Sequence, residues 1–308
     1  MKLFGARHLR ERQTALLALN AWARPIAAGE TAVLPLDATG QAFVEARRAA
    51  ALDRHALGVS AWNDWALAML ALRREIEHDA ATLRLWGAFA AIDFSARIFK
   101  TECDFAGFVF PGPADFSGAR FSVEAWFNAA KFMAGADFAS GLFERDGFFE
   151  CSEFDGPAVF DRTRWSRNAQ FRTCRFGADT HFREARFEKD AWFRGSNFQG
   201  ALSFAAAHFA GDAGLGDCAY RGRSDFVLVR FRDNAGFDQA RFIGPVRFDD
   251  TRFERKAWFT QARFEADASF DRAQFAGEVD FSGVHVVARS AAADEIALLE
   301  TRVASRRA

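Results

Sequence analysis

Residues 114–132 read Ala114-Asp115-Phe116-Ser117-Gly118-Ala119-Arg120-Phe121-Ser122-Val123-Glu124-Ala125-Trp126-Phe127-Asn128-Ala129-Ala130-Lys131-Phe132. A Phe returns after five residues, then six, then five, and two residues before each Phe stands an Ala: Ala114, Ala119, Ala125 and Ala130. Working outward, the same alternation of five and six runs from Phe94 to Val286 without a slip. Of its 36 positions 32 are Phe, and the exceptions, Trp165, Leu215, Tyr220 and Val286, are apolar. Only Phe4, Phe43, Phe89, Phe108 and Phe148 lie off this lattice.

An 11-residue period is compatible with a right-handed coiled coil, but the internal spacing excludes it. At about 100° per residue, steps of five and six separate successive Phe by about 140° and 240° around a helix, giving two opposed stripes and no seam. Phe110-Pro111-Gly112-Pro113 and Ile243-Gly244-Pro245 also break helices. In an extended chain, residues i and i-2 share a side. Each segment therefore points one small and one large side chain inward and then turns. The six-residue segments carry turn chemistry, as in Asp155-Gly156-Pro157, Arg145-Asp146-Gly147 and Arg232-Asp233-Asn234.

A small residue at i-2 and Phe at i, as in Ala114-Asp115-Phe116-Ser117-Gly118 followed by Ala119-Arg120-Phe121, resembles the pentapeptide-repeat family. The resemblance covers roughly residues 87 to 288 and implies a mainly β fold, a right-handed quadrilateral β-helix with four segments per coil. This chain departs from the family pattern by adding one residue to every second segment, so a coil of about 22 residues is expected. About nine coils at roughly 4.8 Å each would make a rod about 43 Å long.

Three parts are expected: an α-helical cap or interaction region over 1–85, the solenoid over 86–289, and a short helix over 290–308 for capping or dimerisation. In the first, Trp62, Trp65, Met69, Leu72 and Ile76 follow helical spacing, and Gly29 to Asp37 reads as a loop. In the last, Ile296, Leu299 and Val303 make a short apolar face.

The 308 residues carry 40 Lys and Arg against 41 Asp and Glu, a formal charge of -1, which excludes nucleic-acid binding by bulk basicity. No uncharged apolar run is long enough to span a membrane. Ala15 to Ala23 is a weak signal-peptide candidate; cytoplasmic location is the default. No nucleotide-binding, nucleophile-elbow, zinc-protease or calcium-loop motif is present, and a Phe-packed rod offers no polar cavity. A non-enzyme with no cofactor and no metal is expected. His181, His208 and His285 fall at outward i-1 positions, and Asp249-Asp250 reads as a solvated turn. Cys103, Cys174 and Cys218 stand at small i-2 sites as buried thiols; Cys174 and Cys218, two coils apart at about 9.6 Å, are too distant to bridge.

Two outward columns carry the functional reading. One is basic: Arg120, Lys131, Arg164, Arg175, Arg186, Arg230, Arg241, Arg252 and Arg263 each precede a lattice residue. Arg186 with Glu188, Arg252 with Glu254 and Arg263 with Glu265 can pair locally, so internal neutralisation is favoured over an anionic partner. The other is aromatic. One per coil stand Asp104, Trp126, Phe148, Gln170, Trp192, Gly214, Gly236, Trp258 and Asp280, making Trp126, Phe148, Trp192 and Trp258 the candidate interaction surface. The expected function is a non-catalytic scaffold that binds a protein, or a second copy through this face or the C-terminal helix. The alternative, implied by the resemblance, is a DNA mimic that binds a type II topoisomerase such as gyrase. A mimic needs an acidic rod, and residues 86–288 carry 25 basic against 29 acidic side chains, only mildly acidic. An ice-binding surface would need flat Thr columns, and the outward columns have none.

Overall fold

A computed structural model describes residues 48–78, 80–101 and 103–287. The expected C-terminal helix over 290–308, the loop from Gly29 to Asp37 and the stretch Ala15 to Ala23 lie outside them. Among the described residues, helix α1 (48–56), α2 (Gly58–Glu75) and α3 (Ala80–Ala90) come first, and 35 two-residue parallel strands follow. Helix thus continues past the expected limit at 85, as far as Ala90.

Four parallel sheets form the sides of the solenoid. In the order one coil visits them they are face A (Ala114–Asp115 and its stack), face B (Arg120–Phe121), face C (Ala125–Trp126) and face D (Lys131–Phe132). Each strand pairs with its equivalent in the next coil, about 22 residues on, as Ala114 with Ala136 and Arg120 with Leu142. The coil length is the one expected from the alternating spacing. Backbone bonds climb between coils, from Phe116 N–H to Asp137 O at 2.6 Å and from Arg120 N–H to Arg97 O at 2.8 Å.

Two kinds of corner explain the five and the six. After Phe116 the chain reverses in a tight turn closed by Ala119 N–H to Phe116 O at 3.0 Å, with Gly118 at φ 64°, the positive φ that a type II turn requires. The same left-handed position recurs at every second corner, through Ala129, Ser140, Cys151 and Arg162 to Arg272 and Gly283. The six-residue segments turn more widely. There Gly222 brings the backbones of successive coils together: a Cβ would sit 2.2 Å from Gly200 O.

Inside, the lattice residues stack. Phe99, Phe121, Phe143, Trp165, Phe187, Phe209, Phe231, Phe253 and Phe275 form one column with adjacent centroids 3.8 to 6.0 Å apart. Rings of different columns meet edge to face, as Phe116 and Phe127 do at 5.3 Å and 90°. Both arrangements satisfy the ring quadrupoles, contributing about 0.5–1.5 kcal/mol per pair beyond burial. Substitutions in the lattice come with compensation. Trp165 fits because a neighbouring i-2 site is Gly147, where a Cβ would lie 2.4 Å from the indole. The buried Tyr220 hydroxyl donates to Leu215 O at 3.0 Å.

The i-2 column of Ser152, Cys174, Ser196 and Cys218 is also buried, and each side chain bonds a carbonyl of the preceding coil, as Ser152 Oγ does to Phe127 O at 2.6 Å. The upper end is closed by α2. Trp62 Nε1 donates to Val109 O (2.8 Å), Asn63 Nδ2 donates to Gly107 O (2.9 Å), and Asn63 Oδ1 accepts from Val109 N–H (2.8 Å). An edge that would otherwise template foreign strands is thereby paired.

Candidate interaction surface

Face C collects the aromatic column. Trp126, Phe148, Gln170, Trp192, Gly214, Gly236, Trp258 and Asp280 stand in register on eight successive strands. Asp104 adds a single bridge to Trp126 at the top. Trp126 is 41% exposed, and its ring stacks on Phe148 with centroids 4.1 Å apart. Phe148, Trp192 and Trp258 are half-buried. Trp192 lies down over the next strand, where a Cβ at Gly214 would be 2.4 Å from its ring. The Trp258 ring lies 3.9 Å from where a Cβ at Gly236, its in-register neighbour, would be. The Arg172 guanidinium covers Trp192 from the side at 5.3 Å, and Arg172 is itself held by Glu150 at 3.2 Å. The four candidates therefore share one face as two groups: the Trp126–Phe148 stack, and Trp192 and Trp258 flanking the Gly214–Gly236 pair, with the Trp192 indole lying over Gly214.

Faces B and D carry the basic residues on opposite sides of the rod. Arg230 stacks on Arg252, and Arg241 on Arg263. Their neutralisation differs from the expected local pairing. Arg120 meets Glu144 at 2.5 Å, Arg164 meets Glu188 at 3.4 Å, Arg230 meets Glu254 at 2.5 Å and Arg241 meets Glu265 at 2.9 Å. Each partner lies in the next coil, just beyond the residue directly in register. Two side chains on one strand point away in parallel, whereas a long guanidinium leaning along the rod reaches the following coil. Lys131 similarly bonds Glu153 at 2.9 Å, holding that carboxyl below its usual range.

Face A carries Asp93, Asp115 and Asp137 on its first three coils. Burial first, then Asp115 and Asp161 nearby, push the Asp137 carboxyl up. Asp249, expected in a solvated turn, is instead only 6% exposed and is bound by Arg247, Ser269 and the Asp271 amide.

The thiols of Cys103, Cys174 and Cys218 are buried and free, and Cys151 is exposed. Burial, the largest influence, pushes the Cys218 thiol up to about 12, leaving it unreactive at neutral pH. Among the described residues no cluster of His, Cys, Asp and Glu could hold a metal ion, and no helix is long and apolar enough to cross a membrane. The sequence reading did not single out an open depression on face B, lined by Arg162, Arg164, Arg186, Glu184, Glu188 and His208. Its signal was present in the basic column, but the depression depends on which acids are missing beside it.

The family model for pentapeptide repeats (9 copies) matches residues 149–197, 182–230, 226–274 and 237–285. No curated protein and no solved structure matches the chain.

Proposed function

Because the chain belongs to the pentapeptide-repeat family, we propose that it is a non-catalytic scaffold whose face C docks a protein. The observation that carries this reading is the aromatic column itself. A core-sized Trp126–Phe148 stack sits outside the core, with 41% of Trp126 in solvent, and two further indoles continue the strip. Large aromatic rings on a rigid sheet lose little conformational entropy on binding and bury much apolar area, so they make effective interface anchors. Flattening over Gly214 keeps the strip level enough to meet a partner along several coils. The helical head adds a second contact surface beside the first coil.

A photo-crosslinking residue at position 126, compared with one at position 203 on face A, tests the reading in cells of the source organism. Crosslinks to a discrete protein from 126 alone support it, and crosslinks to a second copy identify self-association. Equal or absent crosslinking at both positions overturns it.

The topoisomerase-binding alternative draws on the stacked Asp93, Asp115 and Asp137 of face A. However, Arg48 holds Asp93 at 3.0 Å, and Asp115 and Asp137 accept the amides of Ser117 and Ala139. Inhibition of gyrase supercoiling by the purified protein would promote this reading over the first.

A further inference from the structure

Independently of face C, one of two gaps in the face B ladder, the one at Arg186, marks a site. The ladder gives Arg120, Arg164 and Arg230 each a Glu at one fixed offset in the next coil. For Arg186 the equivalent position is Ala210, and among the described residues no carboxylate forms an ion pair with Arg186. Arg162 beside it is likewise unpaired. The next rung below Arg186 is His208, in register between Arg186 and Arg230. With Ala206 and Ala210 on either side of the His208–Phe209 strand, no bulky chain fills the space above the imidazole. The result is an open depression of about 660 Å³. Three guanidinium groups and one imidazole meet there against two carboxylates, and one of those, Glu188, is already engaged by Arg164.

We propose that this depression binds a phosphate group, with the Arg162 and Arg186 guanidiniums taking its charge and the His208 imidazole donating a hydrogen bond. With the imidazole protonated, three guanidiniums against Glu184 and Glu188 leave a net charge of +2, which matches a dianion, and the planar donor forks of Arg162 and Arg186 match phosphate oxygens in geometry. Burial, followed by the repulsion of Arg230, Arg232 and Arg186, lowers the proton affinity of His208, while Glu188 opposes the shift. A bound dianion opposes that shift, so binding draws a proton onto the imidazole.

The test is an NMR titration of the histidine ring signals in the full chain with inorganic phosphate at constant ionic strength, chloride serving as the control anion. The His208 resonance, assigned with His208→Gln, is expected to shift saturably, and its titration midpoint to rise by about one pH unit. Arg186→Gln is expected to weaken the effect by about tenfold. Arg252→Gln removes an arginine of the same face that also lacks a ladder partner, its position being Ala276, and is expected to change nothing. Phosphoserine and pyrophosphate, run alongside, distinguish a phosphopeptide from a free phosphate as the natural source. No phosphate-specific shift, or equal losses in Arg186→Gln and Arg252→Gln, overturns the proposal.

Discussion

The lattice Phe and the left-handed corner are the two residues on which each coil depends, and they were unequally legible. Phe at every fifth or sixth position, with a small residue two before it, turns one face of each extended segment inward, and the resemblance to pentapeptide repeats supplied the four sides. Phe187 and Phe193 are fully buried, 6.1 Å apart and edge to face. Replacing Phe187 with Ala removes a ring stacked on both neighbouring coils and is expected to cost about 3–5 kcal/mol in denaturant unfolding. The corner was invisible because only Gly107, Gly118, Gly195 and Gly283 of the eighteen carry the residue type that announces positive φ. At Leu228, φ is 61° and the side chain is 60% exposed, so its contacts add little. A left-handed backbone costs an L-residue about 1–2 kcal/mol, and glycine's extra chain entropy returns about 0.5–1 kcal/mol. Leu228→Gly is therefore expected to stabilise by about 0.5–1 kcal/mol, and Gly118→Ala to destabilise by a similar amount, both read as shifts in thermal midpoint. At Gly118 the nearest atom to an added Cβ is 3.9 Å away, so sterics do not confuse the comparison.

At the scale of elements, the helical face through Trp62, Met69 and Leu72 was legible, but not how it divides. Trp62 and Ala66 enter the solenoid core, while Met69 and Leu72 pack on Trp86 and Ala90 of α3. Asn63, which no periodicity marks, imitates a strand by donating to Gly107 O and accepting from Val109 N–H. Asn63→Ala would leave those edge groups unpaired at a cost of about 1–3 kcal/mol. Hydrogen exchange should accelerate at Val109 while amides near Phe187 stay protected, since each coil answers mainly to its neighbours. The attachment of α1 is acid-sensitive. Burial works to raise the Asp93 carboxyl, but bonds from Ser95 and Arg48 outweigh it and hold it below its usual range. Its contribution is thus complete above the unfolded carboxyl's pKa and lost as pH falls through the lower folded value. Denaturant unfolding should separate wild type from Asp93→Asn at about pH 7, and the gap should close near pH 2. The partners of the face B arginines escaped a strand-by-strand reading for a related reason: their bonds run along the rod, where the offset between coils, absent from any one segment, decides which acid is met.

For the whole molecule, the sequence carries the rod's period and the column on which Trp126 and Trp192 stand, because both repeat once per coil. It does not carry how far each ring leaves the surface, which depends on Gly214 lying beneath Trp192. The same one-dimensional construction governs how the rod fails. With backbone bonds and ring stacks linking each coil to the next, stability is a chain of coil and interface contributions. A large local loss in the middle then uncouples two halves that can each still pair internally. The same loss at an end only shortens the rod. Phe193 belongs to the middle, stacked 5.0 Å from Phe171, whereas Phe275, 7% exposed and 4.7 Å from Phe253, belongs to the last coil among the described residues. Phe193→Ala should broaden calorimetric unfolding, with a van't Hoff enthalpy below the calorimetric one. Phe275→Ala should keep a single sharp transition with a slightly lower enthalpy, because only the terminal coil frays. If both variants unfold in one equally sharp transition, the rod behaves as a single cooperative block, and nearest-neighbour coupling is the wrong description of it.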